Sequence, residues 1–106
     1  MSDQDTTAIR EAEQLARQGS FDAALSRLEA EGDELATNQA ALYIKAVCQR
    51  SQNNRSDALE TLKTLLSVNP DHVRSYQEIG HIHVAAKNAD KAIQGYTEAV
   101  RRDPAM

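Results

Sequence analysis

Lys87-Asn88-Ala89-Asp90-Lys91-Ala92-Ile93 decides the fold, because it has two earlier counterparts: Gly19-Ser20-Phe21-Asp22-Ala23-Ala24-Leu25 and Asn53-Asn54-Arg55-Ser56-Asp57-Ala58-Leu59. Their anchor alanines, Ala24, Ala58 and Ala92, stand 34 residues apart. The same interval relates Leu28, Leu62 and Tyr96, one helical turn beyond each alanine, and separates Pro70 from Pro104. A small residue, a large apolar residue and a proline rarely fall on one spacing by chance. A period of this length marks a repeat architecture, whose units are each too small to bury their own apolar face.

Two helical patterns flank each polar break. In the last unit Pro70 ends the preceding helix, and Asp71 is placed to cap one that begins near His72. Tyr76, Ile79, Gly80, His83 and Val84 then recur at helical steps along one face, which makes His83 a packed, satisfied structural histidine. Beyond the break, Ala92, Ile93, Tyr96, Ala99 and Val100 mark a second helix. The middle unit repeats this with Leu42, Tyr43, Ala46, Val47 and Cys48, then Ala58, Leu59, Leu62, Leu65 and Leu66. The first unit has Ala8, Ala12, Leu15 and Ala16, then Phe21, Ala24, Leu25 and Leu28. Gly32 and Glu34 interrupt its second helix, which is expected to end near Glu31 with Gly32-Asp33 in a longer turn. The predicted fold is all-α, with six helices in three helix–turn–helix units and no strand. Gly80, Ala46 and Ala12 are small where two helices cross, facing Ala92, Ala58 and Ala24. Gly80→Leu or Ala92→Leu is therefore expected to overpack its crossing.

Composition narrows the function. The formal net charge is −4, and the basic residues are scattered rather than gathered into the stripe that nucleic-acid binding requires. No nucleic acid is expected as a partner. Cys48 is the single cysteine, which rules out an intrachain disulfide and reads as a small buried hydrophobe. Met1-Ser2-Asp3-Gln4-Asp5 has no apolar signal core behind it, and no run approaches the ~20 apolar residues that span a bilayer. A cytoplasmic protein with no membrane partner is expected. His81 and His83 are two residues apart and diverge by about 200° on a helix, so they cannot share a metal ion. Neither a metal site nor a cofactor is expected. The carboxylates lie on polar faces or in a turn, and no glycine-rich phosphate loop or nucleophile turn is present. The segment is not expected to be an enzyme.

These residues resemble the tetratricopeptide repeat family, whose 34-residue unit is a helix–turn–helix. The third unit follows the family pattern most closely. Tyr76 stands where the family prefers Trp, Ile79-Gly80 replaces Leu-Gly, and Ala92, Tyr96, Ala99 and Pro104 complete the series. His83 departs from it, since the family usually has Tyr there. The middle unit keeps Leu42, Ala46, Ala58, Leu62 and Pro70, but has Lys45 and Gln49 at points that are usually apolar or aromatic. The first keeps Ala12, Leu15, Gly19, Phe21, Ala24 and Leu28, with Ala36 in place of the proline.

The resemblance implies a right-handed superhelical solenoid of three repeats, at about 5–38, 39–72 and 73–106, forming a single domain. It also implies a protein- or peptide-binding scaffold whose concave groove is lined by the first helix of each unit. The lining positions carry Ile9, Glu13, Ala16 and Arg17, then Tyr43, Val47 and Arg50, then Arg74, Gln77 and His81. Tyr43 and Val47 are placed for a hot spot, or else for packing between neighbouring helices. Arg50, Arg74 and His81 are placed to receive an acidic group. Ile9 with Glu13 and Tyr43 with Val47 stand where some members begin a two-carboxylate clamp, so that ligand class is disfavoured. Replacing Tyr43 and Arg50 with Ala is expected to weaken partner capture without unfolding the chain. Ile93 and Val100 lie where a further unit would pack, and no capping helix follows Pro104. The expected explanations are a longer protein or a homodimer. In the first case the repeats form the N-terminal part of a larger chain, such as a bacterial sulfotransferase or glycosyltransferase.

Overall fold

Each polar break closes through one left-handed residue. Gly19, Asn53 and Lys87, one period apart, have φ of 80°, 68° and 61°. Around each, two backbone N–H groups turn back onto the last carbonyls of the preceding helix. Ser20 donates to Leu15 (2.9 Å), Asn54 to Gln49 (2.8 Å) and Asn88 to His83 (2.8 Å), and the left-handed residue itself donates three residues back. This is the Schellman arrangement, which satisfies carbonyls that a helix end leaves orphaned. Glycine adopts it freely and asparagine tolerates it, but lysine does not. Lys87→Gly is therefore expected to stabilise the chain by up to about 1 kcal/mol, read as a raised urea midpoint with unchanged slope. An unchanged midpoint would show that the turn is not strained.

The computed structural model describes residues 3–105. They form α1 (Asp3–Arg17), α2 (Phe21–Glu29), α3 (Gln39–Ser51), α4 (Arg55–Val68), α5 (Val73–Ala85) and α6 (Ala89–Arg102), with a 3-10 turn at Gly32–Leu35. No strand occurs among the described residues. The helices pack as consecutive antiparallel pairs stacked on one another, the helical solenoid the period predicts. One apolar cluster joins α1 and α2 to α3 through Ala8, Ile9, Ala12, Ala24, Leu28, Ile44 and Cys48. A second joins α3, α4 and α5 through Ala46, Ala58, Leu62 and Ile82. Cys48 is fully buried, and burial pushes its thiol pKa up.

A close crossing lies between α5 and α6. Gly80 faces the Tyr96 ring, as its small size suggests, but a second glycine shares the contact. A Cβ on Gly95 would lie 2.9 Å from the Gly80 nitrogen and 3.0 Å from the Tyr76 carbonyl oxygen. The register positions of Gly95 in the earlier units hold Thr61 and Arg27, so this glycine-on-backbone contact is peculiar to the third unit. Arg27 instead pairs with Glu11 at 2.9 Å and Glu31 at 2.7 Å, bracing α2 against α1 and its own end.

Three expectations are corrected. The residue preceding α5 is His72, not Asp71, and no side chain caps the helix. Asn69 Oδ1 instead accepts from the Asp71 backbone N–H at 3.1 Å, and the Asp71 carboxylate reaches Arg102 at 3.5 Å. Arg102 also lies 4.4 Å above the Tyr76 ring and donates to the Pro70 carbonyl at 3.0 Å, tying the end of α6 to the start of α5. Second, α2 stops at Glu29 rather than near Glu31, and the longer turn expected at Gly32-Asp33 is a 3-10 turn that buries Leu35. Third, Val84 is exposed although it follows the packed period. His83 is only half-buried, and burial followed by Lys91 lowers its pKa.

Candidate ligand-binding groove

The first helix of each pair, α1, α3 and α5, supplies the predicted groove residues. Among them Tyr43 projects from α3, half-buried, toward the start of α5. Its ring centroid lies 5.8 Å from that of His72, and the Arg74 guanidinium carbon sits 4.6 Å above the ring. Burial, then the Glu78 carboxylate, hold the Tyr43 pKa above its usual value, with Arg74 and Arg50 opposing. Burial, then Arg74, pull the His72 pKa below 6.5, so this histidine favours its neutral form. Its Nδ1 lies 2.8 Å from the Ser75 hydroxyl. Neither His72 nor Ser75 was expected at the groove. Their signal was weak, since both sit at a helix start where polar residues usually serve the backbone.

Arg50 is not free to receive a ligand. Its Nε donates to Glu78 Oε2 at 2.6 Å, and the Glu78 side chain is only 8% exposed. Glu78 was not anticipated at this site, although its spacing from Ser75 and Ile82, both buried, places it on the packed face of α5. The Tyr43 and Arg50 double substitution therefore cannot probe binding alone, because it orphans a buried carboxylate. Arg74 is different: it is exposed and forms no ion pair among the described residues.

The remaining positions fall into three groups. Val47 and Gln77 are half-buried on α3 and α5. Glu13 and Arg17 neutralise each other at 2.5 Å on the exposed face of α1, and His81 Nδ1 meets the Tyr96 hydroxyl at 2.8 Å. Ile9, expected at the lining, is 9% exposed and packs in the cluster shared with α3. On α6, Ile93 and Val100 are 62% and 50% exposed. Among the described residues, no three His, Cys, Asp or Glu side chains converge as metal ligands, and no helix is long and apolar enough to cross a membrane.

Two family models of the tetratricopeptide repeat match the chain, over residues 15–79 and 73–106. No curated protein matches it in sequence. Similar solved structures include MamA 41-end from Desulfovibrio magneticus RS-1, with a TM-score of 0.85 and 16% identity over 96% of this chain and 58% of that one. A MamA RS-1 ArsTM double mutant is similar at a TM-score of 0.82 and 16% identity, over 94% of this chain and 56% of that one. The chain thus spans less than two thirds of either structure, and the likeness is one of fold.

Proposed function

This chain belongs to the tetratricopeptide repeat family, and we propose that it is a protein-interaction scaffold whose groove binds a peptide segment carrying a carboxylate, held between Arg74 and the Tyr43–Val47 surface. The carrying observation is the state of Arg74. The other arginines at the lining positions, Arg17 and Arg50, are neutralised within the chain, whereas Arg74 is held over an aromatic face and forms no ion pair among the described residues. Stacking fixes the guanidinium before a ligand arrives, so less conformational freedom is lost on binding. A half-buried tyrosine beside it supplies the rigid apolar area typical of an interface anchor.

The test replaces Tyr43 and Arg74 together with Ala and compares affinity capture from an extract of the source cells. Captured proteins are expected to fall several-fold in yield while the helical circular dichroism and melting temperature persist. Recovery of the same proteins at the same yield would end this reading.

A second reading has its own observation. Leu25 and Leu59, at the register positions of Ile93, are partly buried against the apolar clusters that reach into the following unit, whereas Ile93 is mostly exposed. That face suits self-association or a further repeat. Sedimentation across a concentration series, with Ile93→Asp as control, distinguishes a dimer from a monomer.

A further inference from the structure

Between α2, the 3-10 turn, α3 and α4 lies a cleft of about 750 Å³. Its origin is a gap in the repeat. Helices α4 and α6 have 14 residues each, but α2 has nine. By the period, residues 30–34 correspond to 64–68 and 98–102, the last stretches of α4 and α6. In the first unit those residues leave the helix, and the cleft opens beside them, over Leu25, Leu28 and Leu42.

The rim is acidic. Glu29, Asp33, Asp57 and Glu60 line it, opposed by Lys45 alone. None of these five takes part in an ion pair among the described residues. Six other acids, Glu11, Glu13, Glu31, Asp71, Glu78 and Glu98, each face an arginine, while Asp22, Asp90 and Asp103, scattered over the surface, form no ion pair among the described residues. Asp57 stands in the first turn of α4, where the helix terminus favours a negative charge. Asp33 likewise stands in the first turn of the short 3-10 segment, but Glu29 and Glu60 have no such local reason. Unneutralised negative charge therefore gathers around an apolar cleft whose size falls within the range of ligand pockets.

We propose that this cleft is a second docking site, for a basic amphipathic peptide. The peptide would seat apolar side chains where α2 lacks its last turns and set lysine or arginine side chains against the four carboxylates. Burial at the floor would supply affinity, and the charged rim would supply orientation and rejection of acidic segments. The site is separate from the groove around Tyr43 and Arg74, and it selects the opposite charge.

The probe is a fluorescein-labelled, amidated peptide of alternating lysine and leucine pairs, titrated into the intact chain and followed by anisotropy. Saturable, salt-weakened binding is expected, with amide shifts at Leu42 and Thr61. Glu29→Lys with Glu60→Lys should weaken it roughly tenfold or more, as expected for reversal of rim charges. Ala36→Trp should do the same by filling the cleft from an exposed position without changing charge, which decides the matter if the charge-reversed variant fails to fold. Tyr43→Ala with Arg74→Ala should leave it unchanged, so the two sites fail independently. A peptide with glutamate in place of lysine should not bind. The proposal is overturned by non-saturable binding, by equal binding to the filled variant, or by loss only in the groove variant. It is also overturned if the free chain dimerises and Ala36→Trp abolishes the dimer, which would make a second copy the occupant.

Discussion

Gly95→Leu should lower the unfolding free energy by roughly 3 kcal/mol, at the upper end of the range for overpacked sites. Even the first added carbon would meet backbone, 2.9 Å from the Gly80 nitrogen and 3.0 Å from the Tyr76 carbonyl oxygen. Backbone inside a helix cannot step aside, so α5 and α6 must separate and lose packing along their whole contact. Gly80→Leu should cost less. Its Cβ would approach Tyr96 at 2.5 Å, but an aromatic ring can swing away by giving up its hydroxyl contact with His81. The better helix propensity of leucine, about 1 kcal/mol over glycine, offsets part of each loss. Urea titration of the two variants gives the order. Equal midpoints for Gly95→Leu and the parent would refute the close crossing. Against a total stability of ~5–15 kcal/mol, such a loss takes a large share of the margin.

The second large effect comes from the Arg50–Glu78 pair. Arg50→Met should destabilise the chain by roughly 2–3 kcal/mol, somewhat below the ~3–5 kcal/mol for breaking a fully buried pair, because Arg50 is itself partly exposed. The methionine keeps the side-chain volume, so the loss reports the carboxylate left without its partner. Arg50→Met combined with Glu78→Met should recover most of it, since no buried charge then remains. A double-mutant cycle measures the coupling directly. Additive losses in the cycle would mean that the two groups do not interact in solution.

The fold was legible because its signals are periodic. Ala24, Ala58 and Ala92 report one crossing three times, and the left-handed turns fall one period apart. What repeats only once was hidden. Gly95 has Thr61 and Arg27 as counterparts, so register comparison hides the residue that brings α5 and α6 closest. Lys87 conceals its turn for a similar reason, since lysine advertises no left-handed backbone whereas Gly19 does. At the proposed groove, the family register pointed to Tyr43, Val47 and Arg74 but could not assign their pairings. Arg50 and Arg74 look alike on a helix face, and only the packing of α3 against α5 shows that one already holds Glu78. Ile9 illustrates the converse, a lining position in the family's register that this chain spends on its core. The cleft beside α2 left a trace as Gly32 and Glu34, but its acidic rim draws on α4 as well and exists only in three dimensions.

Cys48 gives the seam between the first and second units a chemical reporter. Only a thiolate reacts readily with a disulfide reagent, and this thiol is fully covered, with its ionisation held back by burial. Labelling must wait until α1 and α2 lift from α3. The rate of labelling therefore counts partial openings that leave the other units folded, and it ranks the first unit's private stability against that of the whole array.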